Sequence, residues 1–167
     1  MNLKSLNELP PGEVSQEFLK CCGSKRWAGT MTSRRPFESL EELTRTATDV
    51  WWSLNHDDWL EAFRSHPKIG EKKTAELVST QSQQWSGQEQ SGMRAAAEDT
   101  IDSLAKLNRE YEAKFGFIFI VCATGKSAGE MLSLLGQRIG NDPDAELRIA
   151  AAQQAKITEL RLKKLIN

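Results

Sequence analysis

Histidine is nearly absent from this sequence. Two residues, His56 and His66, stand among 167, beside three cysteines, one tyrosine and five prolines. Few side chains therefore titrate near neutral pH. The cysteines exclude a disulfide scaffold, because Cys21 and Cys22 are adjacent, Cys122 stands alone and no C-x-x-C exists. Buried free thiols in a reducing compartment are expected, with Cys122 a small core residue in an apolar run. The histidines form no H-x-x-x-H and have no neighbouring cysteines, so no metal site is expected. Neither charge sign dominates: 22 Lys and Arg against 23 Asp and Glu give a net charge of −1. That balance argues against a nucleic-acid or membrane-surface protein, which would carry a basic excess or stripe. No apolar stretch approaches the roughly 18 residues of a membrane span. The opening residues 1–14 lack the apolar core of a signal peptide, and the final residues are not a peroxisomal tail. A cytoplasmic protein is expected.

What is present is helical periodicity. The length fits one domain over residues 1–167, enough to bury a core without staples. A helix is expected from Ser15 to Cys22, stopped by Gly23, and a short one around Trp27 ending near Arg35-Pro36. Ser39 and Glu42 form a capping box, opening a helix whose apolar face carries Leu40, Leu43, Ala47, Val50, Trp51 and Leu54. The next runs from about Asp57 to Arg64, with Pro67 pushing His66 out of the α region. A short helix over Glu71–Val78 and a polar loop over Ser79–Gln84 follow. The longest helix starts at Ser86 and stops at Gly116, with Met93, Ala97, Ile101, Leu104, Leu107, Tyr111 and Phe115 on one stripe. Phe117 to Ala123 has the pattern of a buried strand, but a lone strand makes no sheet, so a buried extended segment is expected. Helices over Lys126–Ile139 and from Asp142-Pro143 through Leu165 complete an all-α, bundle-like domain.

Several features carry two readings each. His66 follows a helix end, where carbonyls favour a cation, and Pro67 stiffens its backbone; it is a general-acid candidate or a capping residue in a turn. Ser86 and Glu89 have capping-box spacing; the helix start with Ser86, Gly87, Gln88 and Gln90 also makes an anion pocket that Glu89 would face. The run Phe119, Ile120, Val121, Cys122 and Ala123 is core filling, or it presents free backbone groups to a polar ligand. Arg161, between Leu160 and Leu162, is a solvated edge residue or a clamp for a carboxylate. Trp51 and Trp52 cannot share one helix face, so one is expected in the core and the other at a partner surface.

Taken together, the sequence resembles the 2-oxo-4-hydroxy-4-carboxy-5-ureidoimidazoline decarboxylase family over nearly its whole length. The resemblance rests on Leu6-Asn7, Phe18, Trp27, Arg35-Pro36-Phe37, His66-Pro67 and Ser86-x-x-Glu89-Gln90. It continues through Asn108-x-x-Tyr111-x-x-Lys114-Phe115-Gly116-Phe117 to Arg138, Glu146, Ile157 and Arg161-Leu162. One departure is Ile118, where the family often has proline. The resemblance implies a cofactor-free, all-α enzyme, usually a homodimer, that forms (S)-allantoin with loss of CO2. It implies His66 as the catalytic residue beside Glu89. Pro67, Ser86, Gly87, Gln88, Gln90, Arg161 and the backbone from Phe119 to Ala123 would meet a ureidoimidazoline substrate. Two other readings remain open here: a non-enzymatic helical interaction module, and a decarboxylase of another ureide. A DNA-binding regulator is disfavoured by the balanced charge.

Overall fold

The computed structural model describes residues 1–66 and 87–167, with side chains for 1–66 and 98–167. The described residues are all-α: eight helices and no strand. They fall into two compact units, residues 1–65 with 151–167, and residues 66–150.

The first unit opens with a helix the periodicity did not show, α1 (Leu3–Glu8), capped by the Asn2 side chain accepting from the Ser5 N–H at 2.8 Å. Helix α2 spans Pro11–Cys21, four residues earlier than expected. Pro11 occupies the first helical position, where its missing N–H costs nothing. Gly23 is not a left-handed stop, since among the described residues only Gly116 and Gly125 have positive φ. Helix α3 (Lys25–Ser33) is capped by Ser24, and α4 (Leu40–Ser53) by Ser39. Half of the expected capping box forms as drawn: Ser39 Oγ accepts from the Glu42 N–H at 3.0 Å. The Glu42 carboxylate takes the Glu38 N–H at 2.6 Å, one residue before the cap. Helix α5 (His56–Arg64) is capped by Asn55.

Helix α3 packs against α2, α4 and α5. The core is aromatic, with Phe18 edge-on to Trp27 and Trp51 beside Trp59 and Phe63. Each buried indole N–H has a carbonyl partner: Trp27 to Ala47, Trp51 to Ala151 and Trp59 to Trp51. This is what burial of an indole requires. Trp51 is buried and Trp52 is 43% exposed, which separates the adjacent pair as expected. His56 is exposed at the start of α5 and stacks on Trp59. The Arg35 guanidinium collects the Leu6, Asn7 and Leu9 carbonyls at 2.9, 3.2 and 2.7 Å, closing the end of α1. Asn7 clasps Phe37, accepting from its N–H at 2.9 Å and donating to its carbonyl at 2.8 Å.

The second unit holds α6 (Gly87–Phe115), the long helix expected from Ser86, ended by Gly116 at φ 82°. Helix α7 spans Ala128–Arg138 and packs against α6. Helix α8 (Pro143–Leu165) starts in this unit and ends in the first. Between α6 and α7, residues 117–123 are neither helix nor strand, and Phe117 to Cys122 are buried. The expected elements over 71–78 and 79–84 lie outside the described residues.

Candidate functional site

The chain before His66 is shaped by the end of α5. Ser65 caps that helix in αR conformation, and its N–H and hydroxyl both donate to the Ala62 carbonyl, at 3.2 and 2.6 Å. His66 follows in a bend and is half-buried. Pro67 and Ser86 lie outside the described residues. Gly87, Gln88, Glu89 and Gln90 form the first turn of α6, and their side chains lie outside the described set. The His66–Glu89 pairing therefore lies outside it too.

Phe119, Ile120, Val121 and Cys122 are buried in the irregular segment, and Ala123 is exposed. A buried chain without a sheet partner must find other partners for its backbone. Here helix side chains supply several. The Phe119 N–H donates to Asn108 Oδ1 at 3.3 Å, and the Ile120 carbonyl accepts from Arg138 Nη1 at 2.6 Å. The Cys122 carbonyl accepts from Lys126 Nζ at 2.9 Å, and the Ala123 carbonyl from the Lys126 N–H at 3.0 Å. These four atoms therefore already have a partner within the chain, while each of the three carbonyl oxygens keeps a second lone pair.

Beneath the segment lies a polar cluster to which the sequence reading gave no role. Arg138 Nε donates to Glu146 Oε1 at 2.5 Å, and Tyr111 Oη donates to the same oxygen at 2.8 Å. Asn141 Nδ2 donates to Glu146 Oε2 at 3.1 Å. The Arg138 guanidinium lies over the Phe119 ring at 4.5 Å. Burial, joined by the Glu146 carboxylate and opposed by the Arg138 charge, pushes the Tyr111 phenol far up, so Tyr111 stays a neutral donor. One guanidinium thus ties the carbonyl of Ile120 to α8. Its signal in the sequence is an arginine on the buried side of α7, one turn after Leu135, with an acid in the first turn of the next helix.

Arg161 sits half-buried on α8 and donates through Nη1 to the Lys20 and Cys21 carbonyls at the end of α2, at 3.3 and 3.5 Å. This helix-capping contact belongs to neither of the two readings that the sequence offered for Arg161. No group of three metal-ligating side chains occurs among the described residues. No described helix is long and apolar enough to cross a membrane.

Comparison with known proteins places these residues in context. Residues 7–163 match the family model described as OHCU decarboxylase. The chain is 40% identical over 152 residues to the uric acid degradation bifunctional protein TTL of Arabidopsis thaliana, covering 90% of this chain and 47% of that protein. It therefore spans about half the length of that relative. It is 31% identical over 130 residues to the 2-oxo-4-hydroxy-4-carboxy-5-ureidoimidazoline decarboxylase of Xenopus laevis, covering 78% of this chain and 74% of the other. A crystal structure of OHCU decarboxylase in the presence of (S)-allantoin superposes with a TM-score of 0.74 at 40% identity, covering 89% of this chain and 96% of that one.

Proposed function

Because this chain belongs to the OHCU decarboxylase family, we propose that it converts 2-oxo-4-hydroxy-4-carboxy-5-ureidoimidazoline to (S)-allantoin and CO2, the last step of urate oxidation, without a cofactor. The observation that carries this reading is the family match over residues 7–163, which spans every motif residue from Asn7 to Leu162.

The chemistry asks little of the protein in electron-sink terms. The C–C bond to the carboxylate breaks, CO2 leaves, and the electron pair spreads into the adjacent ring C=N and carbonyl. A proton then joins the neighbouring, ureido-bearing ring carbon, while the hydroxyl on the decarboxylated carbon gives up its proton and becomes the carbonyl of allantoin. The protein must hold the carboxylate out of the ring plane, stabilise the enolate-like charge and protonate one face. Fixed dipoles and positioning supply such a barrier reduction. His66 is the proton donor in this reading. Glu89 orients it and keeps it charged. Pro67, Ser86, Gly87, Gln88 and Gln90 line the substrate pocket with the backbone of Phe119 to Ala123, and Arg161 meets the substrate's anionic group. The protein acts as a homodimer in the cytoplasm in the same reading.

The test is direct. Freshly prepared urate-oxidation products are mixed with the protein, and allantoin is followed by circular dichroism. Optically pure (S)-allantoin supports the reading, and a racemic product at the uncatalysed rate refutes it. His66→Ala is expected to lower kcat by about 10²–10⁴-fold, the usual span for a lost general acid.

A further inference from the structure

The ends of α2 and α5 approach more closely than two side chains allow. A Cβ built on Gly23 would lie 2.5 Å from Ser65 Cβ, with Ser65 Oγ closer still. The next atom, Ala62 Cα, is at an ordinary 3.8 Å. Gly23 is not required by its backbone conformation, because its φ is not positive. Close approach is therefore the reason for glycine here. Ser65 is the residue before His66.

We propose that Gly23 is a positioning residue for His66: the absence of a side chain at Gly23 lets the Ser65 turn seat against the end of α2 and so sets where the chain delivers His66. This rests on the reading of His66 as the proton donor. The direction of any strain follows from what is held. The end of α2 is pinned, with Cys21, Cys22 and Ser24 buried and the Lys20 and Cys21 carbonyls bound by Arg161. The start of α3 is tied to α5, since the Lys25 N–H donates to Glu61 Oε1 at 3.1 Å. Ser65 is exposed and ends its helix. A rotamer change moves Oγ but leaves Cβ in place, so a methyl at Gly23 must displace the Ser65 backbone. Relief to van der Waals distance takes about 1 Å, a misplacement that can cost about 10²-fold in rate.

The test compares Gly23→Ala, Ser65→Gly and the double variant. A His56→Gln background leaves His66 as the one imidazole visible by NMR. Gly23→Ala is expected to lower kcat about 100-fold with KM changed less than threefold, and to shift the His66 imidazole resonance. Ser65→Gly removes both atoms that the methyl meets. The double variant is therefore expected to regain kcat to within about fivefold of Ser65→Gly and to return the resonance. A Gly23→Ala enzyme within twofold of wild type, or a double variant no better than Gly23→Ala, overturns the proposal. So does a Gly23→Ala chain that does not fold, because the contact would then hold the fold and not the histidine. If wild type makes no allantoin, the proposed reaction fails instead; the His66 resonance across the same variants then decides the positioning by itself.

Discussion

Arg138 and Glu146 form an ion pair at 2.5 Å in which Glu146 is wholly buried and Arg138 is 7% exposed. Burying two charges costs several kcal/mol of hydration, recovered only when the remaining polar atoms are bonded. Tyr111 and Asn141 complete the carboxylate, and the Ile120 carbonyl takes a second guanidinium nitrogen. Arg138 Nη2 is buried with no hydrogen-bond partner. The pair therefore places the irregular segment more than it adds net stability. Arg138→Met and Glu146→Leu are each expected to lose about 3–5 kcal/mol, because each strands a buried charge. The double variant should lose less than either single change. Urea denaturation of the four proteins checks this, and simple additivity would contradict it.

The adjacent thiols give a pH prediction. Burial pushes Cys21 up to about 11, partly offset by Arg161, and Cys22 up to about 12, partly offset by its hydrogen bonds to Ser24 and Thr158. An unfolded chain ionises them near 9.0. Below pH 9 both states hold the protons and stability is unaffected. Above it the unfolded chain releases protons that the folded one keeps. Stability should then fall by about 1 kcal/mol per pH unit for each thiol until the folded values are passed. Chemical denaturation between pH 8 and 11 reads this directly, and replacing both thiols with alanine should flatten the slope. At pH 8 both should resist alkylation until the protein unfolds.

Much of the fold is legible in the sequence, because long periodic segments carry their own signal. The stripe ending at Phe115 gives α6, with Gly116 as its stop, and Ser39 and Pro143 mark helix starts. What escapes notice has a physical reason. Six residues show less than two turns of period, so α1 is visible only through its Asn2 cap. Pro11 starts α2 by the rule that Pro143 obeys, yet Pro10 before it makes the stretch look like a loop. Gly23 lies where a helix-stop glycine would, and its actual partner, Ser65, is 42 residues away in sequence and has no local trace. The same holds for the candidate site. His66, Ser86 and Glu89 are marked by short spacings. The tie from Ile120 to Arg138 and Glu146 joins three elements and appears only in three dimensions.

Neighbouring tryptophans should behave differently. Trp51 is buried against Trp59 and Phe63, and its N–H donates to the Ala151 carbonyl at 2.9 Å. Trp51→Phe removes that bond and leaves a void, for an expected loss of about 2–3 kcal/mol. Trp52 is 43% exposed and meets only the edge of Trp59 among the aromatic contacts described. Trp52→Ala should cost less than about 1 kcal/mol. Urea midpoints at equal protein concentration separate the two.

Arg161 has two possible employments, and a single substitution distinguishes them. Its Nη1 donates to the Lys20 and Cys21 carbonyls, where a cation suits the negative end of α2. A lysine keeps that charge but lacks the planar fork that grips a carboxylate with two parallel bonds. If Arg161 also binds substrate, Arg161→Lys should raise KM about 10–100-fold while the melting temperature moves by no more than a few degrees. If it serves α2 alone, KM should hold and the thermal midpoint of Arg161→Ala should fall. Steady-state kinetics on freshly made substrate beside a thermal melt of each variant decide between them. A KM within twofold of wild type in Arg161→Lys would remove Arg161 from the substrate contacts.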